Sequence, residues 1–255
     1  MHVEQSNIEQ CLVNILTEQS AKNGCPHCVW YRTVIPEHVF RVTCPPMLPY
    51  ISDTGTTPYE SCFFSFFLNL SAILALCTVY IRYRWLRLVS NEERSLRCCN
   101  IIALVLGELS ALGLSLVANF QETNLEGVHM TGAAMTIGCG ILYMFSQTAL
   151  SYKMADTLSL SRLRLIMAVF CSLTAASFLI ATITAKSLRS STTDPLHWAS
   201  TDKGYPAHVT AAVSEWLTCI VYLLFYATFV QDFKRTSVSV SLNIITMEES
   251  EGIKV

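Results

Sequence analysis

The chain has 255 residues, of which 52% are hydrophobic and only 14% charged. A soluble domain of this size carries about a quarter charged residues, so the composition argues against one. A net charge of −2 gives no footing to a nucleic-acid partner.

Residues 1–61 come first and differ from the rest. They are mixed in polarity, rich in Gln, Glu, Cys and Pro, and show no sustained periodicity. No basic start followed by an apolar stretch marks a signal peptide. Cys25-Pro-His-Cys28 has the form of a thiol–disulfide exchange pair. That chemistry needs a helix N-terminus in a βαβ unit to activate the thiolate, and no such context surrounds it. A zinc set of Cys25, Cys28, His38 and Cys44 is the alternative, with a spacing that matches no standard finger. Incidental cysteines fit the stretch best.

Five apolar runs follow: Cys62–Ile81, Cys98–Phe120, Val128–Tyr152, Leu165–Ala185 and Ala207–Val230. At about 1.5 Å per residue each spans roughly 30 Å, the thickness of a hydrocarbon core. Lipid offers no partner to backbone N–H and C=O groups, so each run is expected to be helical. The fold class is therefore all-α, a polytopic transmembrane helix bundle of five spans. Segments 82–97, 153–164 and 231–255 hold 11 Lys and Arg in 53 residues, against 6 in 89 for the alternate segments. The first set is expected in the cytosol and residues 1–61 on the luminal side. The resulting organisation is an irregular segment 1–47, a bundle over 48–235 and a cytosolic tail 236–255.

Within the spans, Gly132, Thr136 and Gly140 recur every fourth residue in the third run. Small stripes of this kind let helix backbones approach in lipid. Two runs contain a carboxylate, Glu108 and Glu215. An acid inside a membrane is costly and generally finds a partner or a cavity. Glu215 lies about 12 Å inside the fifth run, seven residues after His208 and so on the same helix face. His129, Asp53, Asn119 and Gln121 are expected near the same surface. Asp53, Asn119, Gln121, His129, His208 and Glu215 thus form a candidate polar cluster on the luminal side. It serves as an inter-helix hydrogen-bond network, as a site for a ligand, proton or lipid headgroup, or as a metal hydrolase centre. No HxxxH supports the last. Neither a nucleotide loop nor a nucleophile elbow is present. The sequon Asn69-Leu-Ser71 sits inside the first run. Tyr83-Arg-Trp-Leu86 has the Tyr-x-x-bulky form of a sorting signal, at a point where interface anchors are also common.

Several ordered stretches carry a family resemblance. They are Pro49-Tyr-Ile-Ser-Asp-Thr-Gly-Thr56, Val117-Ala-Asn-Phe-Gln121, Tyr143-Met-Phe145, Gln147, Leu150-Ser-Tyr152, Leu196-His-Trp198, Asp202-Lys-Gly-Tyr205, Glu215-Trp216 and Gln231-Asp-Phe233. Together with His129 and His208 they cover residues 48–235, and that region resembles the damage-regulated autophagy modulator family. Within it, the Leu196-His-Trp198 and Asp202-Lys-Gly-Tyr205 pattern is most similar to the second paralogue. The resemblance implies a non-enzymatic membrane regulator of autophagy in the lysosomal or late-endosomal membrane, with the plasma membrane as the alternative. It implies no cofactor, no metal and no catalytic residue, and as partners membrane lipids and proteins of the autophagy machinery. A lipid- or solute-handling transporter using Glu215 and the histidines is the runner-up, and a membrane lipid hydrolase the third reading. The family carries six spans, with a helix directly before the Pro49–Thr56 stretch. Residues 1–47 hold no run that can cross: Val29–Phe40 is short and interrupted by Arg32, Pro36 and Glu37. That implies a bundle one helix short, less stable for it, with Gly132, Thr136 and Gly140 facing lipid. Glu108 stands where an apolar residue is expected in relatives.

Overall fold

The computed structural model describes residues 49–56, 58–89, 94–154, 158–190, 196 and 198–234. All of these belong to one compact unit, Leu48–Val255. The Cys25–Cys28 pair and the zinc alternative with His38 and Cys44 lie outside the described residues.

A 3-10 turn at Ser52–Gly55 leads into α1 (Pro58–Val89), α2 (Arg94–Asn119), α3 (Glu126–Lys153), α4 (Leu158–Leu188), α5 (Tyr205–Ala227) and the single turn α6 (Val230–Phe233). Among the described residues, five helical stretches are long and apolar enough to cross a bilayer, the fifth running through Tyr205–Phe233. The described residues contain no strand, as expected where the backbone has to satisfy its own hydrogen bonds. The helices overrun their apolar centres. At 32 residues, α1 is about 48 Å long, so its polar ends project beyond the hydrocarbon.

Short connections make sequence neighbours antiparallel partners. The most extensive packing joins α2 to α3, followed by α4 to α5 and α1 to α2, with a thinner contact between α3 and α4. Close approach explains the strength of the α2–α3 pair. A Cβ at Gly113 would lie 2.6 Å from the Gly132 carbonyl oxygen, and one at Gly132 would lie 2.8 Å from Leu116 Cβ. The stripe in α3 therefore packs on helices rather than lipid. Gly132 and the Thr136 backbone meet α2 at Gly113, and Gly140 receives the Tyr222 ring of α5. This corrects the expectation that those three residues face lipid. Their packing is supplied by α2 and α5. The least buried span is α1, with 11% of its most apolar stretch covered against 28–33% in the others.

The apolar core runs through Val79, Leu86, Ala103, Tyr143, Met144, Cys171, Phe225 and Phe229. Leu86 is only 1% exposed, and the Tyr83 carbonyl accepts a 3.0 Å bond from Asn100. Tyr83-Arg-Trp-Leu86 is thus a helical, partly buried segment and not an extended signal for an adaptor to read.

Candidate functional site

At the N-terminal end of α5, two loops close over the helix. Residues 49–53 arrive ahead of α1, and Trp198–Gly204 arrive ahead of α5. Glu215 Oε2 accepts a 2.8 Å bond from the Ile51 amide. Next to it the Trp216 indole donates to the Pro49 carbonyl at 3.2 Å. The loop is braced internally by the Tyr50 amide, which donates to Asp53 Oδ2 at 3.1 Å, and laterally by Ser52 Oγ donating to Glu122 at 3.1 Å. Lys186 bonds Glu126 at 2.7 Å and Glu122 at 3.5 Å. A backbone amide in a partly buried turn must find an acceptor, and here a carboxylate within a helix provides one.

About two turns earlier, His208 is fully buried. The Trp198 ring stacks on it at 4.8 Å and the Tyr50 ring meets it edge-on at 4.6 Å. Neither imidazole nitrogen has a hydrogen-bond partner among the described residues, so this histidine works as an aromatic block. Gly204 permits the arrangement, since a Cβ there would lie 2.8 Å from the Trp198 ring. The Tyr50 phenol is pushed up to about 12. Burial is the main cause, and the charges of Asp53, Glu215 and Glu122 add to it. Tyr50 is therefore neutral at any physiological pH.

The six residues of the expected polar cluster thus divide. Asp53, His208 and Glu215 gather around residues 49–53. Asn119 belongs to a separate group between α1 and α2. Its amide donates to Asn69 Oδ1 at 3.1 Å, and that oxygen also accepts from Ser115 at 2.8 Å. Gln121 pairs with Asn124 in the α2–α3 turn. His129 is buried, with Nδ1 2.7 Å from the Phe120 carbonyl, closing the same turn. No group of three or more His, Cys, Asp or Glu among the described residues is placed to hold a metal ion.

The opposite end of the bundle holds a second polar centre. Asp232 of α6 bonds Arg82 of α1 at 2.7 Å and Arg164 of α4 at 2.6 Å. Both guanidinium groups are fully buried. Arg82 Nε also donates to Gln147 of α3 at 3.1 Å. Arg164 donates to Thr228 Oγ1 at 3.0 Å and to Ser151. The Phe229 ring lies between the two cations, 5.0 Å from each, and Trp85 covers Arg82 at 4.5 Å. Four helix ends thus converge on one carboxylate. A buried charge set of this kind survives only when each member is paired and hydrogen-bonded, and cation–π contact adds to that. The sequence reading placed all three charges in loops or the tail.

Fold and site together define a multi-pass helical membrane protein. Its buried polar groups tie loops and helix ends to one another. The Frag1/DRAM/Sfk1/Cwh43P N-terminal domain matches residues 28–236, a wider region than the motif resemblance covered, and the chain belongs to that family. It is 41% identical over 204 residues to DNA damage-regulated autophagy modulator protein 2 of Homo sapiens, covering 78% of this chain and 77% of the relative. It is 37% identical to DNA damage-regulated autophagy modulator protein 1 of Homo sapiens over 78% of this chain and 83% of the relative. A third relative is Modulator of macroautophagy TMEM150B-A of Xenopus laevis, at 30% identity over 72% of this chain and 71% of that protein. No solved structure matches the chain.

Proposed function

We propose that this chain is a non-enzymatic modulator of autophagy in the lysosomal or late-endosomal membrane, acting through protein or lipid partners. The N-terminal end of α5 then faces the lumen, and the Arg82–Asp232–Arg164 centre lies on the cytosolic side. The supporting observation is that relatives named as autophagy modulators match most of the chain, while its candidate acid is engaged in structure. Glu215 holds the Ile51 amide rather than standing free with a base or nucleophile beside it. A catalytic acid is poised over an open site; this one is an acceptor for a loop.

The test is autophagic flux in cells lacking the protein, rescued with wild type or Glu215→Gln. Full rescue by both is the expected result, because an amide oxygen still accepts the Ile51 bond. Loss of flux with Glu215→Gln at normal protein level would instead mark Glu215 as a proton-carrying group and favour a transporter.

A further inference from the structure

Glu108 is exposed, near the middle of a membrane-spanning helix. It lies 14 residues after Arg94 and 11 before Asn119, about 21 Å and 16 Å along the axis. The opposite face of α2 is the one used inside the bundle, through Leu96, Asn100, Ala103, Gly107, Ser110 and Ala111. Glu108 instead shares the outward face with Ile101, Val105 and Leu112, each 45–52% exposed. The order 101, 105, 108, 112 alternates steps of four and three, the spacing of a left-handed helix–helix seam. At its Arg94 end the same face opens into a groove of about 460 Å³ lined by Arg94, Arg97, Cys98, Ile101 and Ile102.

An apolar outward face suits lipid without any partner, but a carboxyl at this depth does not. Ionised, it is costly in hydrocarbon. Protonated, it carries a donor and acceptors where no water can meet them. We propose that the Ile101–Leu112 face of α2 is a self-association surface, and that its occupant is the same face of a second copy of this chain. Two copies inserted in the same orientation and related by a twofold axis normal to the membrane place identical residues at identical depth. Glu108 then meets Glu108 of the second copy, and a carboxyl pair is self-complementary in hydrogen bonding when a proton is shared. A different membrane protein fits only if it carries a polar group at this one depth, whereas a second copy does so by symmetry.

The experiment uses the full chain in lipid nanodiscs or liposomes at controlled dilution, with dimerisation read by resonance energy transfer between labelled tails. Cross-linking is read in parallel in a variant whose ten other cysteines are replaced by serine. Cys98 is exposed on the same face, whereas Cys99 is half-buried against the core, so a short bis-maleimide is expected to join Cys98 to Cys98. The wild type should dimerise, Glu108→Gln should retain dimerisation through its amide, and Glu108→Leu should weaken it roughly tenfold. Cys98→Ser should abolish the cross-link while energy transfer persists. A monomeric wild type, undiminished dimerisation in Glu108→Leu, or a cross-link that survives Cys98→Ser would overturn the proposal. The assay requires neither a particular compartment nor a particular activity, so its failure is separate from that of the autophagy reading.

Discussion

The two ends of the bundle solve the same problem with different chemistry. At the N-terminal end of α5, polar groups are satisfied one by one. A loop amide meets Glu215, an indole meets a loop carbonyl, and His208 is enclosed by rings. At the other end, two buried cations share one carboxylate, with Asp232 bonded to both Arg82 and Arg164. Pairwise bonds fail independently. A shared charge couples its partners, because removing it takes a counter-charge from two buried groups at once. The loop end is therefore suited to adjustment, and the charged end to fixing α6 against α1 and α4.

The largest expected effect follows from that contrast. Asp232→Ala removes the carboxylate that two buried guanidinium groups share and should cost about 3–5 kcal/mol, seen as a large drop in the unfolding temperature of the detergent-solubilised protein. A change no bigger than a surface substitution would mean that other groups carry the arginines' charge. Next comes the α2–α3 crossing, which belongs to neither end and calibrates the comparison. Gly113→Val inserts carbons where the Gly132 carbonyl already stands, an overpacking cost of about 1–3 kcal/mol. Wild-type stability in that variant would show that the helices separate without penalty.

At the loop end, effects should be smaller and graded. Glu215→Leu removes the acceptor of the Ile51 amide, about 1–3 kcal/mol for a donor left unmade. Glu215→Gln should cost no more than about 0.6 kcal/mol, the mean for polar contacts between membrane helices. Limited proteolysis within residues 49–56 reads this directly: faster cleavage in the Leu variant, unchanged cleavage in the Gln variant. The smallest change belongs to His208→Phe. Both imidazole nitrogens are already unpartnered among the described residues, so a ring of similar shape should leave the unfolding temperature nearly unchanged. A loss comparable to that of Glu215→Leu would reveal a hydrogen bond to the imidazole.

Much of the fold was legible in the sequence, because hydropathy is local. Each of the helices α1 to α5 is centred on one of the five apolar runs. Glu215 was legible for a related reason: an acid within an apolar run is conspicuous whatever its surroundings. Its partner was not, since the Ile51 amide is a backbone group 164 residues away and backbone leaves no residue-type signal. Arg82, Arg164 and Asp232 were misread for a physical reason. Arginines at the edge of a span ordinarily snorkel to the headgroups, and that expectation placed them in loops. One signal pointed the other way. All three lie within two residues of a run's edge, at Ile81, Leu165 and Val230, so a helix extended by half a turn draws them inward. Counting Arg82 and Arg164 as buried leaves 9 basic residues on that side against 6 on the other, so the charge bias keeps its sign. Glu108 was visible from the start, but only the structure turns it outward.

The claim that Asp232 is shared as a set has one direct test. Replacing all three charges with apolar residues of similar size, in Arg82→Met/Arg164→Met/Asp232→Leu, removes the desolvation cost together with the pairing. A buried ion set replaced in this way is commonly neutral or more stable. The measurement is the unfolding temperature of the triple variant beside that of Asp232→Leu alone, in the same detergent. Recovery of most of the loss in the triple variant is the predicted result. A triple variant as unstable as the single one, or worse, would show that the three charges do not compensate one another, and would contradict the account.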